Sequence, residues 1–559
     1  MAVSRRTAMK VMAGMAGAAL GRGRAWGAAD GGGGAGAGAG REIAKGPFAG
    51  TWESLAGGYK CPEWFRDAKF GMWAHWTAQC VPEQGDWYAR QMYIQGHPQN
   101  VFHVKTYGHP TKFGFMELDN LWKAEKWKPE ELLALYQRAG ARYFFALANH
   151  HDNFDAYDSK HHAWNSVKIG PKKDIVGGWA KAARGLGMRI GVTNHSSHAW
   201  HWFQTAYGYD ATGEMAGKRY DAYTLTKEDG KGKWWEGLDP QELYSGRNIV
   251  IPDGITTIAE MNRWHNTHDR VWHEDIPPMN PAFAEKWFLR CKDLIDTYDP
   301  DVLYFDDTGL PFAQIGLDIA AHFYNQSVAR RGKLDVVLNS KKVEAGQRAA
   351  LVEDIERGAA EDVRESPWQT DTCIGGWHYD VRLFEQHKYK TALQVVQMLV
   401  DIVSKNGNLM LSVPIKGDGT IDSDEVKCLE GIAEWIAVNG EGIYGTRPFG
   451  VYGETPATTR PVARGSFGGV RDVRAYTAED VRFTTKGDSV YAFVMGWPEG
   501  GKVVMKELGT GGKHYGKKVG KVELLGAGEV RFEQGEGGLT VRLPEKKVGQ
   551  FAWGVKVSA

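Results

Sequence analysis

A chain of 559 residues, 42% of them hydrophobic, is long enough for a large core and more than one domain. Its 68 Lys and Arg balance 68 Asp and Glu, which argues against a general polyanion binder, and no basic stripe marks a nucleic-acid or phospholipid surface. Twenty-two Trp and twenty-two Tyr are many for this length, and flat rings with a polar edge suit the faces of sugars.

At the N-terminus, "SRRTAMK" sets Arg5 and Arg6 before the short apolar run "VMAGMAGAAL", and small residues follow. This is the pattern of a twin-arginine signal peptide over residues 1–29, and it predicts export of the folded protein to the periplasm or medium. The run is too short to span a bilayer, and no later segment is long and apolar enough to be a membrane helix. A Gly-rich linker is expected over 30–50. Cys61, Cys80, Cys291, Cys373 and Cys428 form no C-x-x-C pair; they allow one disulfide without fixing its partners.

From there, short apolar runs alternate with helical patterns. Strands are predicted over Lys69–Trp76, Tyr143–His151, Arg189–Ser196, Asp301–Asp307, Asp335–Ser340 and Asn408–Pro414. Apolar residues three and four apart predict helices over Pro129–Ala141, Ala282–Pro300 and Tyr389–Gly407. Alternation over this length implies a parallel sheet and an α/β fold, best a (β/α)8-type barrel over 51–449. A doubly wound sheet would bring an early Gly-rich phosphate loop, and none is present. Residues 203–280 lack clear periodicity and read as an insertion over the barrel mouth. Over 450–559, alternating runs between Gly-rich turns predict an antiparallel β-sandwich.

Polar residues close five of the six predicted strands: His75, Asn149-His150-His151, Asn194-His195, Asp306-Asp307 and Asn339. Barrel enzymes build their sites at that end. In "PDVLYFDDTG", neighbours point to opposite faces. Leu303 and Phe305 suit the helix layer, so Val302, Tyr304 and Asp306 face the axis. Asp307 reads as a cap or turn residue beside Thr308 and Gly309.

Six stretches in order carry a resemblance: "WFRDAKFGMWAHW" with "GDWYARQMY", "HHDNFDAYDSKHHAWNS", "GPKKDIVGGWAKAARGLGMRIGV", "DVLYFD", "VSKNGNLMLSVPIKGDGTI" and "NGEGIYGTRPF". Over roughly residues 50–450 the chain resembles the α-L-fucosidases of glycoside hydrolase family 29. The resemblance implies a (β/α)8-like catalytic domain with a C-terminal β-sandwich, a fucosylated glycan or glycoside as substrate, and a retaining mechanism without metal or other cofactor. It assigns the nucleophile to Asp306 and sugar contacts to His75, Trp87, His150 and His151. His195 and Tyr304 are further candidates for the sugar. There are departures from the family pattern. Thr77 stands where a Gly commonly follows the HW pair, Asp86 where a Glu is usual, "GVTNHS" replaces a tyrosine-rich strand end, and Tyr304 takes the place of a Trp.

A retaining glycosidase needs a second carboxyl about 5–5.5 Å from the first. "LVEDIERGAAED" offers Glu353, Asp354, Glu356, Glu361 and Asp362. Glu356, just after the strand-like start, is the choice for acid/base, with Glu361 second. The nearest alternative function is a retaining exo-glycosidase on α-L-galactosides or other fucose-like sugars. A more distant one is a metal hydrolase, since "HSSHAWH" spaces His195, His198 and His201 three apart, although no H-E-x-x-H accompanies it.

Overall fold

The computed structural model describes residues 40–456 and 475–559. The twin-arginine segment and most of the Gly-rich stretch lie outside the described residues. Eight parallel strands close into a barrel in sequence order: β1 (Phe70–Ala74), β2 (Tyr143–Asn149), β3 (Arg189–Asn194), β4 (Val302–Thr308), β5 (Val337–Lys341), β6 (Val352–Asp354), β7 (Trp368–Cys373) and β8 (Gly407–Ser412). β8 pairs back on β1, with Gly71 opposite Met410, so no edge is left open.

Six of these strands match the apolar runs in the sequence. The other two, β6 and β7, escape that signal for physical reasons. β6 is three residues long, and "WQTDTC" in β7 puts Gln369 and Asp371 on its inner face. Those side chains join a buried polar network: Tyr143 Oη donates to Gln369 at 3.0 Å, Gln369 Nε2 to Asp354 at 2.7 Å, and Tyr304 Oη to Asp371 at 3.2 Å. A strand facing such a network cannot read as hydrophobic.

The barrel axis is filled by Trp73, Tyr143, Phe145, Leu147, Val302, Tyr304, Val337, Val352 and Met410. Leu303, Phe305, Leu338 and Leu411 point outward and pack with the surrounding helices. The parity read from "PDVLYFDD" therefore holds. Helices Pro129–Arg138, Ala282–Tyr298 and Ala392–Ser404 fall on the predicted amphipathic stretches. The last begins at a capping box, in which Thr391 accepts from Gln394 N–H and Gln394 accepts from Thr391 N–H.

Of the stretch expected as a linker, residues 43–50 are packed against the barrel domain. Phe48 is buried against Tyr324, and Asn325 brackets it, accepting from its N–H and donating to its carbonyl at 2.9 Å each. An apolar anchor and a satisfied backbone hold residues 43–50 on helix Gln314–Arg331. The insertion carries short helices (Asp221–Thr224, Pro240–Leu243, Ile258–Thr267), and its Trp272 reaches the mouth of the barrel.

Beyond the barrel, β9 (Arg447–Glu454), β10 (Val481–Lys486), β11 (Ser489–Val494), β12 (Lys502–Met505), β13 (Lys521–Leu524), β14 (Gly528–Glu529), β15 (Arg531–Gly535), β16 (Gly538–Arg542) and β17 (Trp553–Ser558) form two antiparallel sheets. A separate apolar core fills them. Arg482 of β10 pairs with Asp401 of the barrel helix at 2.6 Å, both buried, and Trp435 donates to Ala552 O at 2.7 Å. The five cysteines are unpaired. Among the described residues no helix is long and apolar enough to cross a membrane.

Candidate active site

The strands deliver their terminal residues to one pocket of about 500 Å³. Where β4 ends, its register with β5 slips between Tyr304 and Thr308. Such an irregularity re-aims side chains next to a site. Asp306 turns into the pocket, where Lys341 Nζ of β5 donates to Oδ1 while His195 Nδ1 and His151 Nε2 lie 3.3 and 3.4 Å from Oδ2. Burial alone would raise this carboxyl. The Lys341 ammonium and the His195 and His151 rings instead hold it well below the ordinary carboxylate range.

Lys341 also donates to Glu356 Oε2 at 2.6 Å. One ammonium in contact with both carboxylates keeps their nearest oxygens within two hydrogen-bond lengths. Glu356 titrates high: burial raises it, Lys341 opposes, and the charges of Asp371 and Asp306 add to the rise. The pocket thus pairs one carboxyl held ionised with one biased toward its protonated form. The other carboxyls of that stretch go elsewhere. Glu353 is bound by Arg348 and Arg364, Asp354 lies inside the barrel beside Gln369, and Glu361 and Asp362 are exposed.

The histidines are buried and mostly neutral. Burial and neighbouring imidazoles push His75 and His150 well below their ordinary value, and burial takes His195 to about 4 despite Asp306. Their tautomers follow from their partners. Gln79 Oε1 accepts from Ala89 N–H, so its Nε2 donates to Asp152 (2.9 Å) and to His150 Nδ1 (3.0 Å). His150 therefore carries its proton on Nε2. His151 differs: Nδ1–H donates to His195 O at 2.7 Å, and Nε2 faces Asp306 Oδ2 at 3.4 Å. His150 thus offers a donor to a hydroxyl, and His151 backs the Asp306 carboxylate. Trp73, Trp87, Trp272 and Trp377 supply flat apolar surface around them.

Residues 37–441 match the family model of α-L-fucosidases, and residues 475–558 that of the α-L-fucosidase C-terminal domain. The chain belongs to the α-L-fucosidase family. It is thereby a glycoside hydrolase. It is 24% identical to the tissue α-L-fucosidase of Homo sapiens over 512 residues, covering 89% of each chain. It is also 24% identical to an α-L-fucosidase of Branchiostoma floridae, covering 91% of this chain and 95% of the relative. The Thermotoga maritima α-fucosidase in complex with a mechanism-based inhibitor superposes with a TM-score of 0.66 at 25% identity, over 92% of this chain and all of the other. The same enzyme in complex with fucose gives 0.64 at 26% identity, over 91% and 100%.

In this α-L-fucosidase-family pocket, His75, Trp87, His150, His151, His195, Asp306 and Glu356 all stand on the wall. Tyr304 does not. It lies one layer down in the barrel core, fully buried and hydrogen-bonded to Asp371, because its position on β4 is two residues short of the mouth. The histidines of "HSSHAWH" also part company. His195 faces Asp306, His198 faces Asp307, and His201 packs behind them, so they do not form one three-histidine metal set. Sequence reasoning missed Lys341, Asp371, Trp272 and Trp377. Lys341 lies one residue past the predicted strand Asp335–Ser340 and closes β5; the others sit in a polar strand or in segments without periodicity.

Proposed function

We propose that this protein is an exo-acting, retaining α-L-fucosidase that works through a covalent glycosyl-enzyme intermediate. The observation that supports the proposal is the Lys341 ammonium shared by Asp306 and Glu356, which brings the two carboxyls near one another, as a retaining pair needs. Ionised Asp306 attacks the anomeric carbon of a terminal α-L-fucosyl residue while the bond to the leaving oxygen breaks. Protonated Glu356 gives that oxygen its proton. The product is a β-linked fucosyl ester on Asp306 and a free alcohol.

Esterification removes the Asp306 charge. Glu356 then loses one of the charges that raised it and keeps the Lys341 ammonium that lowers it, so its pKa falls. As a carboxylate it takes a proton from water, the water oxygen attacks the anomeric carbon, and the ester bond to Asp306 breaks. The released fucose has the α configuration of the substrate. His150 Nε2–H donates to a sugar hydroxyl, while His151 stays against the Asp306 carboxylate.

Proton NMR of the first-formed anomer from an aryl α-L-fucoside tests the proposal. Retention predicts α-fucose first, with the β anomer appearing by mutarotation; β-fucose first would contradict it. The Arg5-Arg6 pattern supports a second part, twin-arginine export to the periplasm or medium. Replacing both arginines with lysine is expected to trap the protein in the cytoplasm, and unchanged export would refute that assignment.

A further inference from the structure

Behind the nucleophile strand, "HSSHAWH" helps build a second constellation that hydrolysis does not use. His198 Nε2 lies 2.9 Å from Asp307 Oδ1 and 3.6 Å from Glu274 Oε2, and the three ligand atoms are within 4.8 Å of one another. The His198 and Asp307 side chains are 0% exposed. Glu274 comes from the segment after the insertion's last helix and accepts from Thr308 N–H, at the end of β4, at 2.8 Å.

The hydrogens on this cluster can be assigned. His201 Nδ1 faces the carbonyl of Asp269 at 3.3 Å, and a carbonyl only accepts, so His201 carries its proton there. His201 Nε2 is then an acceptor, and His198 Nδ1–H donates to it at 3.2 Å. That leaves His198 Nε2 as a bare lone pair pointing at two carboxylates. It meets no hydrogen-bond donor among the described residues, and neither does Asp307 Oδ2 or Glu274 Oε2 gain one. Buried acceptors facing each other need added positive charge.

We propose that His198, Asp307 and Glu274 form a site for a divalent first-row cation of the zinc or manganese class, which fastens the insertion to the end of β4. One such ion neutralises both carboxylates and leaves His198 neutral. Ligands about 2.0–2.2 Å from the ion stand about 3–3.5 Å apart, close to the spacings already present. One imidazole with two carboxylates suits these metals, and the His198–His201–Asp269 chain is the outer support that orients a ligating histidine. Trp272, two residues before Glu274, packs on His198 at 3.9 Å between ring centres and lines the pocket. The ion therefore fixes a pocket wall without entering the reaction.

The test strips the full-length protein with a chelator, adds ZnCl2 or MnCl2, and reads bound metal by mass spectrometry after gel filtration, with thermal unfolding alongside. One equivalent and a raised Tm are expected for the parent. Glu274→Gln, at a partly exposed position that tolerates change, weakens binding by at least about 10–100-fold, and Asp307→Asn does the same. Less than about a tenth of an equivalent with no Tm shift overturns the proposal and leaves the cluster held by protons. Undiminished binding by Glu274→Gln overturns it as well. So does loss of the ion in His195→Ala but not in Glu274→Gln, since the pocket trio His150, His151 and His195 is then the holder.

Discussion

Asp306 and Asp307 are neighbours on one strand, Asp307 buried and Asp306 largely so, and their surroundings drive them in opposite directions. Asp306 faces the barrel axis, touches an ammonium and two imidazoles, and is held ionised. Asp307 points to the other side of the strand, meets Ser197 Oγ at 2.7 Å and a second carboxyl, Glu274, and burial pushes it up to about 7. One residue of strand parity separates a site able to attack carbon from a site able to hold a proton or a cation. Burial is common to both. What differs is which charges the neighbouring strands and the insertion bring to each face.

The largest expected effect breaks the axial side. Asp306→Gly lowers kcat by on the order of 10⁴–10⁶-fold while the fold persists, because the residue lies at the mouth and adds little to the core. Azide restores part of the turnover and gives the β-fucosyl azide, read by NMR. Glu356→Ala comes next. It slows substrates with poor leaving groups by about 10²–10⁴-fold and activated aryl fucosides far less. Azide there gives the α product.

Two substitutions sharpen the comparison by moving charge. Lys341→Met costs on the order of 10²-fold in kcat, since the positive charge between the two carboxyls is lost. Its pH profile carries the sign. Glu356 must be protonated to act as acid, so activity falls as pH rises through its pKa. Removing Lys341 raises that pKa and moves the alkaline limb of kcat/KM to higher pH. Asp371→Asn removes a negative neighbour and moves the same limb to lower pH. Asp307→Asn has the smallest effect on hydrolysis, under about tenfold in kcat/KM, because it does not touch the sugar. A loss as large as that of Asp306→Gly would show that the strand's face assignment is off by one residue.

The barrel was legible where strands face apolar surroundings on both sides, as in "YFFALAN" and "GNLMLS". β6 and β7 were not, because Asp354, Gln369 and Asp371 make a polar network where the pattern expects Val or Ile. In the site, the axial position of Asp306 followed from alternation and that of the His150–His151 pair from its place at a strand end, while the roles came from the resemblance. Glu356 needed the resemblance to say that a second carboxyl was required, and only the geometry separates it from Glu353 and Glu361. Trp272 and Glu274 had no signal, since the insertion reaches the pocket through irregular backbone with no period to read. Asp307 looked like a turn residue because its partners, His198 and Glu274, are distant in sequence and brought together by the fold.

The central claim is that Asp306, not its neighbour, forms the bond to the sugar. A 2-deoxy-2-fluoro fucosyl fluoride slows breakdown of the glycosyl-enzyme enough to trap it. Proteolysis and tandem mass spectrometry of the peptide spanning β4 then locate the added sugar. The account predicts one fluorofucosyl group per chain, carried on Asp306. A label on Asp307 or Glu356, or rapid turnover with no label and β-fucose released first, would contradict it.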